Sequence, residues 1–402
     1  MALIEPVRWR EVPWGWLVVA TLLTTFGVAF VISACYDPNE RFGLGKEARM
    51  QLVWWGISLA ACVGVLNVPF ATWRALAIPA FLAGIALELF MAAAAGSALV
   101  PVIKGQANWV VLGPLRLQPV EFIKLGTLLA CARLLSSPDF QPARLLHVLG
   151  ALALAALPAA LHARNDLGSS LTFPPMIFGM LIAAGMRLRH LAGILLLSLG
   201  GTLTLFVILL MDPGSSPALK QLQNSVLPRE GNRSYQYKRI EAWLHPEEYA
   251  LTESYQTLRS VRSIGSGRWL GKGYLEGEQN RLGWLPEKHT DLIFAVVGEE
   301  VGFIGCTVAL GLFLAFAWAG MHAASICRDP CGRLLIVGYT CLLMGQASIN
   351  LAVAMGLMPV TGVPLPFFSY GGSSLLANYL GLGIALAAAA APRRATGKTT
   401  LI

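Results

Sequence analysis

The sequence predicts an all-α polytopic integral membrane protein of ten transmembrane helices, with both termini cytoplasmic and one large extracytoplasmic loop between the seventh and eighth helices. Three observations predict it. Hydrophobic residues fill 55% of the 402 positions and charged residues only 13%, with a mean hydropathy of +0.61, which is too apolar for a soluble chain of this length. Apolar stretches of membrane-spanning length recur at about 14–35, 50–66, 73–95, 118–136, 144–163, 168–186, 190–211, 291–320, 333–356 and 373–391. Lys and Arg in the short loops divide unevenly, twelve on the side of the termini against seven on the other, and the richer side is cytoplasmic.

The chain 1–402 thus reads as a single transmembrane domain, with residues 212–290 as a large loop within it. The net charge of +8 follows from the loop asymmetry and the basic outer loop, and gives no reason to invoke nucleic acid. Of the seven cysteines, five fall in or at the ends of predicted helices and read as small buried hydrophobes. Cys327 and Cys331 share a cytoplasmic loop without a His or Cys partner for a metal. The first helix follows Arg8 and Arg10 without a small-residue cleavage pattern, so it reads as a retained span.

In chain order, the outer side gathers the unusual chemistry. Arg49 opens the second helix, either as an interfacial anchor or as a cation facing a ligand. Trp109 sits in the next outer loop, where an indole commonly marks the membrane–water boundary. Glu121 and Lys124 follow at i,i+3 on one helix face, after Pro119 at the first helical turn. Charges near the bilayer are costly, so the pair either lines a polar cavity or forms a structural ion pair.

The 212–290 loop carries eleven Lys and Arg, among them Arg239 and Lys272, and cations at a membrane surface suit an anionic headgroup. Tyr255, Leu258, Val261 and Ile264 recur at helical spacing, which predicts an amphipathic helix lying on the membrane.

The loop ends in Trp284-Leu285-Pro286-Glu287-Lys288-His289-Thr290-Asp291, and from Leu292 the chain is apolar apart from Glu299 and Glu300. Pro286 stops what precedes it, and Thr290 or Asp291 is placed to cap the new helix. Asp291 therefore stands at the water–lipid boundary, as a cap or as a group with chemistry to do. Gln346 and Asn350, four apart, give the ninth helix one polar face, which serves a site or glues helices together. Between the last two helices, Pro359 to Ser374 holds three prolines and three glycines and cannot continue as helix, so at membrane depth it must face protein or a cavity.

The runs His289-Thr290-Asp291-Leu292-Ile293-Phe294-Ala295 to Gly298-Glu299-Glu300 and Pro364-Leu365-Pro366-Phe367-Phe368-Ser369-Tyr370-Gly371-Gly372-Ser373-Ser374 resemble the SEDS family of bacterial shape, elongation, division and sporulation proteins. The ten-span layout extends the resemblance over nearly the whole chain. Thr361-Gly362-Val363-Pro364 and Gln279 look closer to the elongation branch typified by RodA than to the division branch typified by FtsW. The resemblance implies a peptidoglycan glycosyltransferase of the bacterial inner membrane that polymerises lipid II on the extracytoplasmic side during elongation. It implies Asp291 as the essential acid, Trp109 as a functional loop tryptophan, and Glu121 and Lys124 as the family's helix start; with these, Arg49, Lys272, Arg239, His289, Ser369, Tyr370, Gln346 and Asn350 are the residues expected at the substrate. It further implies a class B penicillin-binding protein and other elongation-complex membrane proteins as partners. No cofactor is required by the residues; a divalent cation, Mg or Mn, is compatible with the leaving pyrophosphate.

The pattern is not followed throughout. Val120 replaces a usual Ser, Asn108 stands where Arg commonly precedes the Trp, Leu292 replaces Phe, and Asn165-Asp166-Leu167-Gly168-Ser169 replaces a Pro-Asp-Leu-Gly-Thr run. Two competing readings are a lipid II flippase and a non-enzymatic scaffold of the elongation or division machinery. A flippase needs polar handling at both leaflets, whereas the short cytoplasmic loops carry little beyond Arg and His.

Overall fold

A computed structural model describes residues 9–37, 43–103, 106–113, 115–163, 165–210 and 234–391. Its helices, in chain order, are α1 Trp14–Ala34, α2 Lys46–Leu66, α3 Phe70–Ala93, α4 Pro119–Leu135, α5 Leu145–Ala163, α6 Leu167–Ser170, α7 Phe173–Ala183, α8 Leu188–Leu210, α9 Ser234–Leu244, α10 Tyr255–Ser266, α11 Glu278–Arg281, α12 Ile293–Ile326, α13 Pro330–Ala354 and α14 Gly372–Ala389. Each of the ten predicted stretches is therefore helical, and α9 to α11 lie within the predicted outer loop, whose residues 212–233 fall outside the described residues. Among the described residues, seven helices are long and apolar enough to cross a membrane: α1, α2, α3, α5, α12, α13 and α14. The apolar segment Leu167–Ala183 is shorter, as is α4 with 17 residues, while α8 runs over 23 residues.

Local chemistry sets the helix ends. Pro119 and Pro330 each open a helix, where a missing N–H costs nothing. Asp329 caps α13 by accepting from Cys331 N, and Asp166 caps α6 by accepting from Ser169 N. The sixth predicted stretch is two helices rather than one. Pro174 and Pro175 supply no amides to continue α6, so the chain turns at Leu171 and Thr172 before α7 begins. The all-α expectation also misses a small antiparallel hairpin, β1 Val110–Leu112 and β2 Leu115–Leu117, which pairs Val110 with Leu117 and Leu112 with Leu115.

Packing places α13 and α14 innermost. α14 lies against α2 and α13, α12 against α1 and α13, and α3 against α4. Trp16, Phe316, Tyr339, Phe368 and Tyr379 fill the centre and are fully buried. Residues 359–371 form no helix, as their prolines and glycines require, and are laid into the bundle with Phe367 and Phe368 buried. Gly27 of α1 admits this segment so closely that any side chain there would collide with the Phe368 main chain. Arg10 and Ala389 line one crevice, so the described chain starts and finishes at the same end of the bundle.

α12 is broken at Gly302, whose φ of 63° and ψ of −158° leave the helix. The groups freed by the break are paired by the outer loop. Lys272 N and Gly273 N donate to the carbonyls of Glu299 and Glu300, both at 3.0 Å, while Phe303 N and Ile304 N donate to those of Arg268 and Trp269 at 2.8 and 3.2 Å. The loop therefore splints the helix that starts just after Asp291. A Cβ at Gly302 would collide with Gly271 N, so the tight approach needs glycine on sterics as well as on φ.

Candidate active site

Asp291 is not the helix cap that its position suggested. α12 starts at Ile293 with Leu292 as N-cap and no side-chain cap, and Thr290 Oγ1 donates to the Glu287 carbonyl at 3.2 Å instead. The half-buried Asp291 lines a cavity of about 130 Å³ together with Trp109 and Tyr370. Gln106, Asn108, Gln118, Asp166, Thr290, Gly362, Pro364, Gly371, Ser373 and Ser374 complete the lining. Of the eleven residues expected at substrate, the structure brings Trp109 and Tyr370 to this cavity.

Several of the others hold its walls from behind. Asn350 Nδ2 donates to the main-chain carbonyls of Asp291 and Val363, each at 2.8 Å, and so ties α12's start to the 359–371 segment. Gln346 Nε2 donates to the Pro364 carbonyl at 3.0 Å. Ser369 Oγ donates to the Thr290 carbonyl at 2.6 Å and accepts from Leu365 N at 2.9 Å. Tyr370 N donates to the His289 carbonyl at 2.8 Å, and the two rings meet edge to face at 5.5 Å. These four residues are not in the cavity lining; Asn350, Gln346 and Ser369 each donate to a main-chain carbonyl of its walls, and the His289 ring packs on Tyr370.

Glu121 and Lys124 are likewise absent from the cavity lining. The Lys124 ammonium donates to Glu121 Oε1 at 2.8 Å and to Gln346 Oε1 at 3.0 Å, and both charged side chains are at most 3% exposed. The buried ammonium is thus compensated by two protein acceptors, and the chain Glu121–Lys124–Gln346–Pro364 runs to the cavity rim.

The remaining cations are also elsewhere. Lys272 Nζ pairs with Glu299 Oε1 at 3.0 Å and Glu278 Oε2 at 3.2 Å beside the α12 break. Burial lowers its pKa, but those two carboxylates outweigh burial and hold the ammonium above its ordinary value. Arg239 Nη1 donates to the Val360 carbonyl at 2.9 Å in a separate groove between α9, α10 and the end of α13. Arg49 is exposed on α2 and does not line the cavity. The stripe Tyr255, Leu258, Val261 and Ile264 is only in part what α10 buries: Ile264 packs on Gly298 of α12, and Tyr255 and Leu258 are half-buried. Ser260 and Ser263 are buried, and Gly267 just beyond α10 lies against Gly298 of α12, while Val261 is exposed.

A family model described as "Cell cycle protein", covering FtsW, RodA and SpoVE, matches residues 14–394. The chain belongs to this family. It is 34% identical over 383 residues to a protein named "Probable peptidoglycan glycosyltransferase FtsW" of Geobacter metallireducens, covering 92% of each chain. It is 32% identical over 286 residues to "Peptidoglycan glycosyltransferase MrdB" of Escherichia coli K12, covering 71% of each. A chain from a solved structure described as "Structural coordination of polymerization and crosslinking by a peptidoglycan synthase complex" superposes with a TM-score of 0.74 at 28% identity, covering 95% of this chain and 98% of that one. The lean toward RodA read from the Thr361 to Pro364 lead-in is not reflected in overall identity, since the 34% relative carries the FtsW name.

For this SEDS family member, sequence reading missed the cavity residues that come from distant segments. Asn108 Nδ2 donates to Gln106 Oε1 at 3.1 Å and Asp166 Oδ2 at 3.3 Å, and the Asp166 carboxylate also accepts from Ser169 Oγ at 2.7 Å. This carboxylate fixes the Trp109 loop against α6. The signal available was the pair of departures from the family pattern, which fall at Asn108 and around Asp166. Gln118 N donates to Ser373 Oγ at 3.2 Å, which joins the hairpin strand β2 to the start of α14. Gln51 clamps both faces of the 369–371 turn, with Nε2 donating to the Ser369 carbonyl at 3.1 Å and Oε1 accepting from Gly371 N at 3.3 Å.

The cavity is poor in side-chain cations. Its positive end is the N-terminus of α14, where Gly371, Ser373 and Ser374 form the wall and the first-turn amides have no intrahelical acceptor. The carboxylates in the lining are Asp291 and Asp166, and among the described residues no three His, Cys, Asp or Glu side chains are grouped to hold a metal. This donor set does not make a resident metal site.

Proposed function

We propose that this chain polymerises lipid II into glycan strands by inverting transfer, with Asp291 as general base. The observation that carries it is the placement of Asp291: directly ahead of an apolar helix, in a small cavity with Trp109 and Tyr370 on its walls and the α14 N-terminus at one side. Lipid II puts its polyprenyl tail in the bilayer, its pyrophosphate at headgroup level and its reactive sugar carbon just outside, which matches that depth. The names of the FtsW and MrdB relatives support the substrate class.

In this mechanism the Asp291 carboxylate accepts the proton of the acceptor hydroxyl as that oxygen attacks the anomeric carbon. The α-linked pyrophosphate leaves from the opposite face, and a β linkage forms. The cations Lys124, Lys272 and Arg239 already have protein partners, so the developing phosphate charge is assigned to the first-turn amides of α14, with Gln106, Gln118 and Tyr370 as neutral donors. Trp109 stacks on sugar. Asp166 keeps the Asn108–Trp109 turn in place.

We further infer ten spans in the bacterial inner membrane, with both termini cytoplasmic, the 212–290 loop and the active site outside, and 1–402 as one domain. A class B penicillin-binding protein is the expected partner, supported by the synthase-complex neighbour. Incubating the purified chain with labelled lipid II, alone and with that partner, tests the function. Glycan polymer is expected; movement of lipid II across vesicles without polymer would replace the proposal with the flippase reading.

A further inference from the structure

A crevice of about 690 Å³ opens at the end of the bundle opposite Asp291, between the start of α1 and the end of α12. Its walls are apolar and smooth, built by Pro13, Trp16, Val19, Ala315 and Ala319, and its size falls within the range of about 300–1,000 Å³ typical of ligand sites. Arg10, Arg328 and His322 stand at its mouth against one carboxylate, Glu11. The Arg328–Glu11 pair is loose, at 4.0 Å between partly exposed side chains, and no ion-pair partner of Arg10 is present among the described residues. Aromatic rings mark the depth. Trp318 is 72% exposed and stacks on His322 at 5.6 Å, while Trp9 and Trp14 stack at 5.7 Å beside the mouth. Such exposed indoles belong at the membrane–water boundary, which puts the mouth at headgroup level and the apolar walls in hydrocarbon.

We propose that this crevice is a binding site for an anionic glycerophospholipid, whose phosphate sits between Arg10 and Arg328 and one of whose acyl chains lies along Trp16. Charge selects the headgroup. Two guanidinium groups face one carboxylate already beside Arg328, so a net negative headgroup gains where a zwitterionic one, which also brings an ammonium, does not. The apolar walls admit a chain.

The test is native mass spectrometry of the purified full-length protein titrated with phosphatidylglycerol and with phosphatidylcholine of the same acyl chains. The structure predicts phosphatidylglycerol to bind at least about 10-fold tighter, with Arg10→Gln/Arg328→Gln removing that preference, at about fivefold per arginine. Arg187→Gln/Arg189→Gln changes the same charge on exposed residues away from the crevice and should leave it intact. Gly15→Leu provides a steric arm: Gly15 lines the crevice and a Cβ there meets nothing within 4 Å, so bulk is added at the wall and binding of both lipids at this site should weaken. Equal affinity for the two lipids, equal loss in the two arginine pairs, or unchanged binding in Gly15→Leu would each overturn the site.

Discussion

Asn350 Nδ2 holds the peptide carbonyl of Asp291 at 2.8 Å while leaving the carboxylate to the cavity. The same amide holds Val363, so one side chain on α13 fixes both α12's start and the broken segment opposite it. Asn350→Leu removes two buried hydrogen bonds at about 1 kcal/mol each and lets the Asp291 main chain drift. Small displacements of a reacting group are expensive in rate. We expect polymerisation to fall by about 10- to 100-fold with a fall in melting temperature of only a few degrees, measured on the same purified samples. A large loss of folded protein with full activity in the remainder would show that Asn350 serves folding alone.

Lys124 behaves in the opposite sense. The sequence suggested a cavity cation, but its two acceptors are Glu121 and Gln346. Lys124→Met leaves a buried carboxylate uncompensated, at a cost of about 3–5 kcal/mol, whereas Lys124→Met with Glu121→Gln removes both charges and should recover much of it. Thermal unfolding in detergent distinguishes the two. A fully stable, inactive Lys124→Met would return the lysine to the substrate.

Gly302→Ala tests the splint between the outer loop and α12. The added methyl meets Gly271 N at a backbone conformation with φ of 63°, so either the loop or the helix break must give way. Hydrogen exchange should rise at Lys272, Gly273, Phe303 and Ile304 together, since their amides share the junction. Unchanged protection at these four amides would contradict the splint.

His289 provides a pH test. Burial lowers its pKa from the ordinary 6.5, and the Glu287 and Glu47 carboxylates only partly oppose this. The unfolded chain therefore takes up the proton at higher pH than the folded chain, and the stability linked to this ring is complete above about pH 6.5 and lost as pH falls through the folded value. The melting temperature of wild type relative to His289→Gln should be flat above neutrality and decline below it. Parallel curves down to pH 5 would show the ring to be no more buried than in the unfolded state.

The elements were legible in the sequence where one signal sufficed. Long apolar runs located helix at all ten stretches, and the prolines and glycines of 359–371 announced broken backbone. Roles were less legible because they depend on partners remote in sequence. The i,i+3 spacing of Glu121 and Lys124 says that they share a face, but the acceptor that completes the brace, Gln346, is 222 residues away. Asp166 and Asn108 meet across 58 residues. The break at Gly302 has no local signal in an apolar helix; it exists because Gly267 and Gly271 let a loop approach and pair the freed groups. Strands of three residues, as in the hairpin, are too short for alternation to show.

The central claim is that the Asp291 carboxylate takes a proton. Asn is nearly isosteric, and Asn350 holds the main-chain carbonyl at this position, so Asp291→Asn should keep the local geometry. The deciding measurement is the initial rate of glycan polymerisation from labelled lipid II by purified wild type and Asp291→Asn at equal folded concentration, with lipid II binding measured in parallel. Loss of a general base predicts a rate lower by about 100-fold or more with binding and melting temperature close to wild type. A variant that polymerises at near wild-type rate would contradict the account, because no other carboxylate in the cavity is available: Asp166 is already engaged by Asn108 and Ser169.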